Sequence, residues 1–175
     1  MTYPIGGHGV LEHSRVALEF SNALDFDGSN DKCTFTSDVV ISASQDFTIA
    51  FYSKLTNFAS MAITNTVDTF HYVYMKETTK VGFNGATGGQ DFLFPGISLS
   101  VWNFVVISRI SNTMRCYVNN VESTSGGATL NTAVTFDGLS NRGILYYDGV
   151  MDEVFIKAGT GATAANATSM YNGGA

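Results

Sequence analysis

Two segments decide the fold of this chain: Ala23-Leu-Asp-Phe-Asp-Gly-Ser-Asn-Asp-Lys-Cys-Thr-Phe35 and Gly149-Val-Met-Asp-Glu-Val-Phe-Ile156. The first contains Asp27-Gly28, a pair typical of turns, and Cys33 to Thr36 after it predicts a strand that pairs back across the turn. The second segment reads as a closing strand. Together they predict one closed β-sandwich whose first and last strands meet.

The composition favours strands over helices. Charged residues make up 14% of the 175 residues and aromatic residues 13%, with 13 Phe and 8 Tyr. Aromatic and β-branched residues are enriched in strands. Turn residues separate short apolar segments about every eight to twelve positions, which is typical of sandwiches and jelly rolls. The length fits one domain, which we predict to be all-β.

The charge balance argues against several partners. The formal net charge is -6, whereas nucleic-acid binding depends on clustered Lys and Arg. We therefore expect no nucleic-acid partner. A run of about 18 apolar residues, as a membrane span needs, is missing from the sequence. The start, Met1 to Val10, lacks the basic and apolar regions of a secretory signal, so we expect no export by that route.

The chain divides into two predicted parts. Residues 1–22 contain the loop-forming Gly6-Gly7-His8-Gly9 and no strong period, which predicts an extended N-terminal arm. Residues 23–175 form the predicted sandwich. Its small-residue segment Ala162 to Tyr171 predicts a short C-terminal helix.

Two segments of the sandwich carry further predictions. Asp46 to Leu55 alternates, with Phe47, Ile49 and Phe51 on one face, and predicts a central strand with one buried face. Gly85 to Gln90 is rich in glycine and predicts a mobile loop. Cys33 and Cys116 both lie in phase with apolar neighbours. They are interpreted as reduced, packed thiols, with a disulfide across the sandwich as the alternative.

Three more segments resemble known proteins. They are Asp46-Phe-Thr-Ile-Ala-Phe-Tyr-Ser-Lys54, Trp102-Asn-Phe-Val-Val-Ile-Ser-Arg109 with Met114-Arg-Cys-Tyr-Val-Asn-Asn120, and Asp152-Glu-Val-Phe-Ile-Lys157 with Met170-Tyr-Asn-Gly-Gly174. With the two segments above, they resemble laminin-G-like, concanavalin A-like jelly rolls in the same order. The resemblance implies a two-sheet antiparallel jelly-roll sandwich with one concave sheet and a short C-terminal helix.

The sequence does not predict an enzyme. Carbohydrate-cleaving relatives of this fold use carboxylates in an E-x-D-x-E type of spacing, and the five Glu residues do not occur in it. Asp152 and Glu153 are adjacent, and neighbouring strand residues face opposite sides. A divergent glycosidase stays as a third hypothesis.

Calcium is the ligand chemistry that the resemblance implies. Related sandwiches place an ion between the first turn and the closing strand, and the matching positions are Asp27, Gly28 and Asp152. Oxygen ligands of this kind suit Ca²⁺. The alternative is that Asp27-Gly28 is a simple turn which Asp152 caps through backbone amides.

A glycan site would need aromatic and polar residues on the concave sheet. The residues in phase for such a face are Tyr52, Tyr72, Tyr74, Arg115 and Tyr117. A tyrosine ring offers a stacking surface and a hydroxyl. Ordinary packing of these tyrosines is the alternative interpretation.

The predicted function is binding or assembly without catalysis. Small laminin-G-like chains of this kind resemble proteins that phages and other viruses place on their particles. The resemblance therefore implies a virion surface or capsid decoration protein, made in the host cytoplasm and assembled with capsid subunits or with itself, with affinity for host glycans. The alternative is a lectin-like carbohydrate-binding module associated with a glycan-active enzyme.

Overall fold

The computed structural model describes residues 23–67, 70–125, 127 and 129–172, so the arm predicted for residues 1–22 lies outside the described residues. Within these ranges, the chain forms two six-stranded antiparallel sheets, a two-stranded hairpin and one helix. The elements are β1 (Leu24–Asp27), β2 (Cys33–Ile41), β3 (Phe47–Leu55), β4 (Ser60–Thr64), β5 (Tyr72–Glu77), β6 (Lys80–Gly85), β7 (Gly88–Leu93), β8 (Asn103–Ile110), β9 (Thr113–Val118), β10 (Val121–Glu122), β11 (Val134–Leu139), β12 (Asn141–Arg142), β13 (Leu145–Tyr146), β14 (Asp148–Ala158) and α1 (Ala164–Tyr171).

The two sheets form the predicted sandwich. Sheet A has the strand order β1-β14-β3-β8-β9-β10, and sheet B has the order β2-β11-β4-β5-β6-β7. The first and last strands pair, with Leu24 opposite Met151 and Asp27 opposite Asp148. The all-β jelly-roll prediction and the meeting of its two ends are confirmed.

The strand after the first turn does not pair back, and that prediction is wrong. The chain leaves sheet A after β1. Strand β2 pairs with β11 in sheet B, where Cys33 lies opposite Leu139. The turn at Asp27-Gly28 therefore carries the chain from one sheet to the other. This crossing lets the inward side chains of β2 close the core from the second sheet.

β3 is the predicted central strand, with β14 on one side and β8 on the other. Phe47, Ile49 and Phe51 are fully buried between the sheets. The opposite face of β3 is also buried, because Ala50 and Tyr52 lie in a second apolar cluster with residues of the C-terminal segment. A single buried face was therefore the wrong expectation.

The helix α1 covers the outer face of sheet A. Its N-cap is a capping box: Asn166 N–H donates to Thr163 Oγ1, and Thr163 N–H donates to Asn166 Oδ1. Ala167 is its buried residue and packs in the same cluster as Tyr52. Among the described residues, no helix is long and apolar enough to cross a membrane.

The glycine-rich stretch is mostly strand, so the prediction of a loop over Gly85 to Gln90 is wrong. β6 ends at Gly85 and pairs directly with Gly88, the first residue of β7. Only Ala86 and Thr87 separate the two strands. β7 is the edge strand of sheet B, and its glycines are part of the sheet surface.

Both cysteines are free thiols. Cys116 lies fully buried in the core between the sheets, and Cys33 packs against that core from β2. Burial raises the pKa of the Cys116 thiol well above its ordinary value. Cys116 therefore packs as a neutral apolar side chain.

Arg109, at the end of β8, is fully buried. Its Nε donates to the carbonyl of Gln45 at 2.8 Å, and its two terminal nitrogens donate to the carbonyls of Ser42 at 2.7 Å and Thr132 at 2.6 Å. The guanidinium also lies over the ring of Phe47, 5.0 Å from its centroid. Since Ser42 follows β2 and Thr132 precedes β11, this one side chain ties sheet A to sheet B.

We expect Arg109→Met to destabilise the fold by about 3 kcal/mol or more, because a fully buried guanidinium is removed and three backbone carbonyls lose a charged donor. Arg115→Met is the matched control, since Arg115 forms an exposed ion pair with Glu122 and its loss should cost about 1 kcal/mol or less. Urea unfolding of the two variants measures the difference. Equal losses in the two variants would contradict the role given to Arg109.

Candidate functional site

The five residues predicted to form one glycan face lie on two different sheets. Tyr52 and Tyr117 belong to sheet A, and Tyr72 and Tyr74 belong to sheet B. Tyr52 and Tyr117 are 6% and 2% exposed, because α1 and the residues before it pack over them. A single aromatic face is therefore wrong, and the rings of Tyr52 and Tyr117 are part of the packing.

Arg115 lies near the edge of sheet A. Its guanidinium donates to Glu122 Oε1 at 2.8 Å, across the pair of strands β9 and β10. Burial raises the pKa of the neighbouring Tyr117 phenol, and the Glu122 charge adds to that rise. Arg115 therefore lies on the other sheet from Tyr72 and Tyr74 and does not share a face with them.

Tyr72 and Tyr74 lie on the outer face of sheet B, where they are half-buried. Their rings meet edge to face, with centroids 6.3 Å apart. The core-facing residues of the same strand are Val73 and Met75. Together with residues of β6 and β7, the two tyrosines line a groove of about 420 Å³.

The floor of this groove is glycine. Tyr74, Gly82 and Asp91 lie opposite one another on β5, β6 and β7. A Cβ added to Gly82 would lie 3.3 Å from Asp91 Oδ1 and 3.6 Å from Tyr74 Cβ, so Asp91 leans over the bare backbone and the hollow between the two side chains is narrow. Above this hollow, Lys76 Nζ reaches across to Asp91 Oδ2 at 2.6 Å.

The other end of the groove is lined by Tyr72 and Asn84. Asn84 donates its amide to the carbonyl of Phe70 at 2.7 Å and leans over Gly89, where an added Cβ would clash with it. Arg142, from the hairpin of β12 and β13, stacks on the ring of Tyr72 at 4.3 Å from its centroid. Tyr72 is thus held from above, and Tyr74 is the ring beside the glycine floor.

Sequence reasoning identified Tyr72 and Tyr74 and missed the polar residues around them. Lys76 is in phase with the two tyrosines, and Gly82 and Asp91 lie in register with Tyr74. The available signal was the short turn between β6 and β7, which sets this register. The predicted loop over Gly85 to Gln90 overlaps the start of β7, which is the third strand of the groove.

The positions predicted for calcium do not converge. Asp27 lies opposite Asp148 on β14, whereas Asp152 lies beyond the pairing with β1 and opposite Tyr52 of β3. A Cβ on Gly28 would lie 2.9 Å from that of Asp148, so Asp148 is the carboxylate at the first turn. The described ranges contain no group of three His, Cys, Asp or Glu side chains arranged to hold a metal.

The Asp27 carboxylate and backbone already have hydrogen-bond partners within the first turn. Asp27 Oδ1 accepts from the backbone N–H of Ser29 at 2.8 Å, and Asp31 Oδ2 accepts from the N–H of Asp27. These bonds are the pattern of an Asx turn. Asp27, Gly28 and Asp152 are therefore not brought together into one ion site between the first turn and the closing strand.

A bulge separates Asp152 from Phe155 in the pairing of β14 with β3, and Glu153 has a φ of 48°. Strict alternation is therefore interrupted here, so it does not determine the side on which Glu153 lies relative to Asp152. Burial raises the pKa of Glu153, and the charge of Asp152 raises it further. The two carboxylates lie on sheet A, away from the groove.

The sequence of the sandwich matches a known family. The family model described as the concanavalin A-like lectin/glucanases superfamily, of laminin G type, matches residues 27–160. The chain belongs to this superfamily, and its fold is the lectin- and glucanase-like carbohydrate-binding fold. No curated protein matches the chain in sequence.

Several solved structures share the fold. Domain 4 of an extracellular arabinanase from Geobacillus stearothermophilus, in complex with arabinotriose, is 18% identical with a TM-score of 0.59, over 75% of this chain and 68% of that one. A heptameric pentraxin from Limulus polyphemus is 13% identical with a TM-score of 0.60, over 85% and 81%. A Trypanosoma rangeli sialidase is 11% identical with a TM-score of 0.55, over 86% of this chain and 27% of the sialidase. At these identities the likeness shows the fold alone.

We expect chelation to leave the melting temperature unchanged, because Asp27, Gly28 and Asp152 are not brought together at one point. Melting with and without EDTA measures this. A decrease on chelation that Asp148→Asn abolishes and Asp152→Asn retains would contradict the expectation and would place an ion at the first turn. Asp152→Asn is the matched control, since both substitutions remove one carboxylate from β14.

Proposed function

We propose that this chain is a non-catalytic carbohydrate-binding jelly roll, and that the groove across β5, β6 and β7 is its glycan site. The observation that carries the proposal is the combination of the Tyr74 ring, the open floor at Gly82 and the hydrogen-bonding side chains of Lys76 and Asp91 in one groove. Sugars present apolar ring faces and hydroxyls, which match an aromatic ring beside polar groups.

The carboxylates support binding over hydrolysis. Glycosidases use a pair of carboxyl groups that flank the scissile bond. Among the described residues that line the groove, Asp91 is the single carboxylate, and it is engaged by Lys76. Hydrolysis of a bound glycan that Asp91→Asn abolishes would contradict a non-catalytic role.

The arabinanase domain supports a sugar ligand by analogy of fold, since its structure contains arabinotriose. A binding module that accompanies a glycan-active enzyme is therefore one context in which this chain would act. The fold alone does not select the sugar.

We expect Tyr74→Ala to weaken glycan binding by about tenfold or more, because central aromatic contacts dominate binding energies. Tyr171→Ala is the matched control, since this partly exposed tyrosine lies on α1 over the other sheet. A glycan array followed by calorimetry measures both variants. Equal affinities for Tyr74→Ala and the wild type, with a loss in Tyr171→Ala, would move the site to sheet A.

We also propose a structural role on a virion surface, as a decoration protein that assembles with capsid subunits or with itself. The supporting observation is β2, a nine-residue edge strand of sheet B whose outer edge has no partner among the described strands. Val40, on this strand, is 61% exposed. Edge strands offer unpaired backbone groups to a neighbouring subunit.

We expect the purified chain to associate, and Val40→Lys to weaken the association because a charge on an edge strand opposes pairing. Val67→Lys is the control, since Val67 is 90% exposed in the connection after β4. Light scattering over a range of concentrations measures the mass. A wild-type chain that stays monomeric at all concentrations and does not bind to particles would contradict this second role.

A further inference from the structure

The groove carries information about the kind of sugar. We propose that it binds a neutral sugar residue through two adjacent hydroxyls, which Lys76 and Asp91 recognise together while the ring lies over Gly82. This inference rests on the proposed glycan function and assigns the sugar class and the residues that determine it.

The two charged groups have free hydrogen-bonding capacity. Lys76 Nζ carries three donors and gives one to Asp91 Oδ2. Asp91 Oδ1 points toward the hollow above Gly82, as its 3.3 Å distance from an added Cβ there shows. An ammonium donor and a carboxylate acceptor thus stand side by side at the same hollow. Adjacent hydroxyls on a sugar ring offer the complementary pair, one accepting and one donating.

The charges of this pair favour a neutral ligand. Lys76 and Asp91 cancel each other, and the ion pair raises the pKa of Lys76, which keeps it protonated. A sugar carboxylate placed at the hollow would lie against Asp91 and meet like charge. Arg142 is engaged on the ring of Tyr72 and with a further partner, so it holds the tyrosine at the far end of the groove.

The glycine floor sets how closely the sugar approaches. Gly82 lies between Tyr74 and Asp91, and its backbone does not have the positive φ that would require glycine. Alanine is therefore compatible with the backbone of the strand, but its methyl group would lie 3.3 Å from Asp91 Oδ1, so Asp91 would have to shift. The bare backbone at this position makes room for Asp91 and Tyr74, and it also lets a ligand approach the strand closely.

The test uses the full chain and calorimetry with neutral probes (cellohexaose, xylohexaose and arabinotriose) and acidic probes (trigalacturonic acid and 3′-sialyllactose). We expect a neutral probe to bind more tightly than the acidic ones. Lys76→Gln and Asp91→Asn should each weaken binding by about tenfold or more, since hydrogen bonds to charged groups are strong. Gly82→Ala should weaken binding, because its methyl group takes up the space beside Tyr74 and displaces Asp91.

The controls match each change in chemistry and exposure. Arg115→Gln and Glu122→Gln remove the ion pair of sheet A, whose side chains are 43% and 40% exposed, compared with 40% and 43% for Lys76 and Asp91. Gly96→Ala adds a methyl group where nothing lies within 4 Å of it. We expect all three control variants to bind as the wild type does.

The outcomes separate this inference from the proposed function. Tighter binding of the acidic probes, or unchanged binding in Lys76→Gln and Asp91→Asn while Tyr74→Ala loses affinity, overturns the inference and leaves the glycan site in place. No binding of any probe by the wild type overturns both. An analogue of the bound neutral sugar with one of two adjacent hydroxyls methylated should bind about tenfold more weakly or worse, and equal binding of that analogue overturns the recognition of the pair.

Discussion

Arg109 holds the two sheets together at one end of the sandwich. A buried charge is costly unless its hydrogen bonds are made, and this guanidinium makes them to backbone carbonyls in segments that flank strands of both sheets. Burial lowers the pKa of Arg109, but an arginine side chain in a protein stays charged at neutral pH. The segments that precede β3 and β11 are therefore fixed to β8, and the strands that follow start in register.

The outer faces of the two sheets differ. On sheet A, α1 is positioned by its capping box and covers the tyrosines of β3 and β9. On sheet B, the described chain places no helix over β5, β6 and β7. The groove there is lined by half-exposed Tyr72 and Tyr74 and floored by Gly82. The groove proposed for glycan binding and the packing under α1 thus lie on opposite sides of one sandwich.

The sequence was sufficient for the architecture because strand signals are local. The alternation of Phe47, Ile49 and Phe51 identified the central strand, and the two terminal segments identified the strands that pair as β1 and β14. The site needed information that alternation does not contain. A period of two places Tyr52 and Tyr117 on the outer side of their strands, but it does not show that a helix covers them.

Register was the second missing quantity. The family resemblance places Asp27 and Asp152 at one ion site, but the strand pairing places Asp148, not Asp152, opposite Asp27. A bulge in β14 also interrupts the alternation at Glu153, and no local signal in the sequence predicts it. The most direct test of the central claim is a map of backbone amide shifts by NMR while neutral oligosaccharides are added. We expect shifts that cluster in β5, β6 and β7, and shifts confined to α1 and β9 would contradict a glycan site in the groove.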